Sequence, residues 1–282
     1  YFADSALRPD FLPLEKKVER FCNKRYGKHS AKMLEVWKSF LPLYSLTEDQ
    51  RYYMSSFFYP FSKQRILQKI LNEDHVAHEK SVQSARKKVE EGAKLFDAMK
   101  QTVSLLASLP KELYENEFIT RDAVDLLRSI TERKLDVEML KSALAWLDGA
   151  DLQIAKMEET CERWLEVFIQ ILATREEFSA YHTLENLKKV SEVNPCFENT
   201  LKDNLINGYC RSSVYESARF IYLPEMKLFF KALSSHPFPE CTEEKNKIFD
   251  QFLETKFSEM KPQKLTVSEA CKAFLEEWNR KA

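Results

Sequence analysis

The chain has 282 residues, with 43 basic and 44 acidic side chains, a net charge of −1, and 44% hydrophobic and 31% charged residues. Only 4 residues are glycine, about 1.4% against a usual ~7%, which leaves little room for phosphate loops, tight hairpins or strand-to-helix elbows. A nucleotide-binding α/β enzyme, a β-sandwich and a barrel are disfavoured on that ground. With no strongly one-signed end, nucleic acid has no electrostatic footprint to bind.

Taken in order, the elements are helical and punctuated by proline. Residues 1–12 read as an irregular arm. A first helix fits Leu14–Tyr26, with Leu14, Val18, Phe21 and Cys22 on one side and Gly27 as its stop. Ser30 can cap a second helix carrying Met33, Val36, Trp37, Phe40 and Leu41. Thr47 to Gln50 form a capping-box pattern opening a short helix that Pro60 ends, and another helix follows from Ser62 to Leu71.

Two heptad seams come next. Val82, Val89, Phe96 and Val103 are spaced by seven, with Ala85, Gly92, Met99 and Leu106 three residues after each. The small Ala85 and Gly92 let another helix approach closely. A longer row runs from Leu140 through Ile154, Cys161, Trp164 and Phe168 to Phe178, with Asp136 as its cap and helix expected to about Tyr181. Pro110 and a shorter helix over Thr120–Arg133 would join the two.

After Asn194 and Pro195 the pieces shorten. Helices are expected near Phe197–Asn207, Ser212–Tyr222, Pro224–Ser234, Thr242–Met260 and Thr266–Arg280. His236 to Pro239 make a rigid break, and Thr266 with Glu269 form a second capping box. The predicted fold is an all-α, elongated helical bundle with a long antiparallel central helix pair from residues 75–180 and shorter flanking helices. Residues 1–74, 75–194 and 195–282 read as N-terminal short helices, a long-helix core and a cysteine-containing C-terminal subdomain, together one continuous domain.

Chemistry-bearing patterns are sparse. His75 and His78, among Glu73, Asp74 and Glu79, are the best metal candidate, but zinc requires three or four converging ligands and no second motif supplies them. A charged N-terminal helical turn accounts for the cluster better. No nucleophile elbow, phosphate loop or kinase loop is present, so no catalytic residue, metal or cofactor is assigned and the chain is read as non-enzymatic. The runs Arg86 to Lys88 and Lys188 with Lys189 read as solvated helix faces.

Aromatic density is the unusual feature. Tyr52, Tyr53, Phe57, Phe58, Tyr59 and Phe61 put six aromatics into ten residues around Pro60. Exposed, they would form a partner-binding surface; packed, they would plug a corner of the bundle, which large aromatics more often do. The run Phe220 to Phe230 around Pro224 carries the same two interpretations.

Six cysteines, Cys22, Cys161, Cys196, Cys210, Cys241 and Cys271, are an even set that permits three disulfides, and four of them cluster after residue 195 among the short helices. The alternative is six buried thiols, Cys161 above all, since it lies within a seam. The opening Tyr1, Phe2, Ala3 and Asp4 without methionine is read as a processed, exported chain or a trimmed one. No stretch approaches the ~20 apolar residues of a membrane span.

A 33.2 kDa helical chain with scattered cysteines, the Cys196–Cys271 group and the Val82–Leu106 seam resembles the mosquito 34-kDa secreted salivary protein family. The resemblance implies a secreted product that acts at the bite through a protein partner and not by catalysis. It transfers no functional residue. The alternatives are an intracellular helical scaffold, adaptor or tethering domain, which would keep its thiols reduced, and a carrier of a small apolar ligand between helices.

Overall fold

The computed structural model describes residues 13–48, 75–150, 153–192, 214–235 and 241–280. Among them the regular elements are helical and no strand occurs, as the sequence led us to expect. α1 (Leu14–Tyr26) stops where Gly27 takes φ 53°, a value that favours glycine. A 3-10 turn then leads into α2 (Ser30–Glu48). α3 (His75–Lys94) and α4 (Phe96–Ala107) precede the 31-residue α5 (Glu117–Leu147). α6 (Ile154–Leu172), α7 (Ala180–Ser191) and the single turn α8 (Val214–Ser217) follow. α8 runs through a π-helical turn (Ala218–Tyr222) into α9 (Leu223–Leu233), and α10 (Thr242–Glu254) and α11 (Val267–Asn279) complete the set.

Both long helices expected over residues 75–180 are divided. The first seam breaks at Leu95, whose φ of −100° and ψ of 1° leave the helical region between α3 and α4. The second is two helices, because Gly149 takes φ 64° after α5 and the chain restarts at Ile154. Its alternating steps of three and four simply continue across the turn. The expected helix Thr120–Arg133 is instead the first half of α5, which passes Asp136 without interruption. Asn116 caps it, its Oδ1 accepting from the amides of Phe118 (3.0 Å) and Ile119 (3.3 Å). The long antiparallel pair is therefore replaced by four helices.

α5 spans roughly 46 Å at 1.5 Å per residue and forms the centre. It packs on α6 and α3, and also touches α1, α4 and α11. Every residue from Leu126 to Arg133 is buried, more than two turns covered on all sides. That is why this stretch shows no amphipathic stripe. Its polar members need local partners. Arg133 Nη1 donates to Ser129 O at 3.0 Å and to the Ser129 hydroxyl, and the Arg128 guanidinium lies 5.5 Å from the Phe178 ring centre. Burial pulls the Arg133 guanidinium below its ordinary value, with the Glu132 carboxylate acting in the opposite direction.

α11 lies against α4, α6 and α5 and closes an aromatic box. Lys134 of α5 places its ammonium 4.0 Å from the Phe96 ring centre, 5.2 Å from Trp278 and 5.6 Å from Trp164. The same ammonium sits 2.5 Å from Glu138. Thr266 and Glu269 form the predicted capping box at the start of α11. On the other side, the buried Glu216 of α8 reaches the N-terminus of α7. Its carboxylate accepts from Ser179 Oγ (2.8 Å) and from the amides of Ala180 (2.8 Å) and Tyr181 (3.4 Å).

Candidate functional site

The corner where α1, α2 and the start of α5 meet carries the candidate site. α1 is amphipathic: Cys22 and Tyr26 are buried, whereas Leu14 and Phe21 stay 41% exposed. Beside them, Phe118 in the first turn of α5 is 50% exposed. These side chains, with Val18 of α1 and Trp37 of α2, line a cavity of about 550 Å³ that is completed by Lys17, Lys24 and Arg25. Leu14, Phe21 and Phe118 are thus gathered in one concavity, whereas the other large exposed apolar side chains among the described residues, Phe249, Leu253 and Met260, lie outside it.

The cavity is rigidly framed. Phe21 meets Trp37 edge-on at 5.6 Å and Tyr26 at 5.9 Å between ring centres. Arg25 makes a bidentate pair with Asp122 of α5, Nε to Oδ2 at 2.5 Å and Nη2 to Oδ1 at 2.8 Å. Its guanidinium lies 4.7 Å from the Phe118 ring centre and 5.6 Å from that of Phe21. Tyr26 donates its hydroxyl to Asp122 at 2.5 Å and accepts from Trp37 Nε1 at 2.9 Å. Burial, reinforced by the Asp122 carboxylate, pushes the Tyr26 phenol well above its ordinary range, so it remains a donor. The hydrogen bond to Asp122 likewise raises Arg25, which stays charged.

The electrostatics are one-sided. Residues 14–38 hold eight basic side chains against three acidic ones, a net +5 in a chain of net −1. No acidic side chain is among the residues lining the cavity, and Asp122 is committed to Arg25 and Tyr26. Lys24 is exposed and forms no ion pair among the described residues. Acidic residues elsewhere cancel this segment in the sum, so the net charge of the chain does not show it. Phe118 had no recognisable signal, since only the fold brings it to α1.

The aromatic patch Tyr52, Tyr53, Phe57, Phe58, Tyr59 and Phe61 lies outside the described residues, as do Cys196, Cys210 and the break at residues 236–239. The side chains of His75 and His78 are also outside them. The run around Pro224 is a packed one, with Tyr222, Met226, Phe229 and Phe230 buried. Arg86 pairs with Asp148 (2.5 Å), Lys87 with Glu91 (3.6 Å) and Lys188 with Glu185 (3.2 Å), as solvated helix faces do.

The disulfide expectation is corrected for the cysteines described. Cys22, Cys161, Cys241 and Cys271 are buried, and no disulfide joins any two of them. They are distributed over different helix contacts. Cys22 of α1 lies near Asp122, Cys161 of α6 near Glu138 and Lys134, and Cys271 of α11 near Tyr114, while Cys241 precedes α10. An even count is thus no sign of pairing when each thiol fills its own core niche.

No family model, curated protein or solved structure matches this chain. No helix among the described residues is long and apolar enough to cross a membrane.

Proposed function

We propose that this protein acts by binding and not by catalysis, and that the corner of α1, α2 and α5 is its binding surface. One observation carries the proposal: Leu14, Phe21 and Phe118 are exposed together around a cavity whose charged lining residues are all cations. Exposed apolar side chains grouped in a concavity mark binding sites, whereas scattered ones do not. The Arg25, Asp122, Tyr26 and Trp37 chain supports this by holding the frame before any ligand arrives.

The secreted, salivary assignment remains part of the proposal on the whole-chain resemblance alone, because the described cysteines lend it no disulfide. The aromatic patch at residues 52–61 remains a second candidate surface for a protein partner. The test is photo-crosslinking of the full chain in its native fluid or extract, with a benzophenone side chain at position 118 and, separately, at the exposed position 272 of α11. An adduct from position 118 and none from 272 is expected. No adduct from 118 would end the proposal for this corner.

A further inference from the structure

We infer that the corner takes a free, monomeric amphiphile with a single anionic headgroup, such as a carboxylate, sulfate or phosphate on an alkyl or aryl tail. The inference rests on the corner being the binding surface and names the class of its ligand. The tail would lie against Leu14, Val18, Phe21, Trp37 and Phe118. The headgroup would meet Lys24 at the rim.

Three features select this class. First, the cavity volume of about 550 Å³ lies within the ~300–1,000 Å³ range of small-ligand pockets. The cavity's eight lining residues are far fewer than the ~20–30 residues a stable protein interface uses on each side. Second, the lining has three cations and no carboxylate, so an anion gains attraction and a cation meets repulsion. Third, the cations are not equivalent. Arg25 spends Nε and Nη2 on Asp122 and its flat face on Phe118, so it shapes the wall. Lys24, exposed and without an ion pair among the described residues, is placed to receive a headgroup.

The experiment uses the full chain and four probes. The anionic dye 8-anilinonaphthalene-1-sulfonate is titrated by fluorescence, with the uncharged N-phenyl-1-naphthylamine as its control. Laurate and dodecyltrimethylammonium then compete for the dye. One dye per chain is expected, displaced by laurate and not by dodecyltrimethylammonium. Lys24→Glu should weaken the anionic dye about tenfold or more, as loss of about 1.4 kcal/mol would do, and leave the uncharged dye within about twofold. Phe118→Ser should weaken both dyes; it alters an exposed side chain, and unchanged helical circular dichroism certifies its fold.

Equal displacement by the anionic and cationic detergents would overturn the inference, since the site would then be merely apolar. So would flotation of the protein with vesicles of phosphatidylserine and phosphatidylcholine in place of one-to-one dye binding, which would put α1 on a membrane surface. If no dye binds while position 118 still crosslinks a protein, the amphiphile is wrong and the binding corner stands. If neither occurs, both fall.

Discussion

Gly92 of α3 faces Val137 of α5 so closely that a Cβ built on the glycine would stand 2.5 Å from Val137 Cγ2. The sequence anticipated a close approach at this glycine, and here the central helix passes against it. Gly92→Ala should gain about 1 kcal/mol of helix propensity and lose about 1–3 kcal/mol to overpacking. Val137 cannot swing aside, because a β-branched side chain is held to one rotamer in a helix. We expect net destabilisation in urea unfolding, and recovery when Val137→Ala is added, so that the two changes are not additive. Additive losses would show that the contact is unimportant.

The second prediction concerns Lys134 in its aromatic box. Lys134→Met keeps length and apolar volume but removes the charge that faces Phe96, Trp164 and Trp278. It also leaves Glu138 with Lys141, 3.3 Å away, as its remaining ion-pair partner in this cluster. A desolvated cation–π contact contributes about 2 kcal/mol, and a loss of that order is expected in thermal unfolding. Tryptophan emission should change as well, since two of the four tryptophans face the ammonium. Unaltered emission and stability would mean the box is filled by shape alone.

Glu216 gives a pH dependence with a definite sign. Burial raises its carboxyl above the ordinary value of 4.5, although the Ala180 amide and Ser179 hydroxyl act to lower it. Between the unfolded and folded values the native state therefore holds the extra proton, and stability falls as pH rises through that window. Glu177 and Glu269, both lowered, act in the opposite sense and at lower pH, where stability falls as pH drops. Denaturant midpoints measured from about pH 5 to about pH 7 should decline for the native chain and stay flatter for Glu216→Gln. Parallel curves would place the dependence elsewhere.

The thiols supply a chemical test. Burial, with help from Asp122, pushes Cys22 up to about 11, and burial pushes Cys271 up to about 12 and Cys161 higher still. Alkylation needs the thiolate, so all three should resist iodoacetamide in the folded protein at neutral pH. All three should react once the chain is unfolded, without any reductant. Peptide mapping after each treatment reads the result. Protection that persists in denaturant until reductant is added would mean they are oxidised, and the disulfide-stapled secreted protein would return.

Local signals in the chain are legible where local chemistry decides the structure. Gly27 ends α1, Thr266 and Glu269 cap α11, and the apolar spacing identifies helices throughout the described residues. Helix continuity is not legible at Leu95 and Gly149, because a three-and-four rhythm records which residues face inward and not whether the backbone turns between them. The candidate corner was half visible. The spacing of Leu14, Val18 and Phe21 puts them on one face of α1, but nothing local distinguishes an apolar face that is covered from one that is not.

The sequence by itself determined the helical class, the helix stop at Gly27, the capping box of Thr266 and Glu269, and the presence of a close contact at Gly92. These follow from backbone preference and side-chain periodicity, which act over a few residues. Only the tertiary structure decided that Leu126–Arg133 is the buried centre, that Phe118 completes a cavity begun by α1, and that the described cysteines fill separate niches. Such outcomes depend on which surfaces meet across about a hundred residues of chain, as Arg25 and Asp122 do, and burial is a property of that meeting rather than of either helix alone.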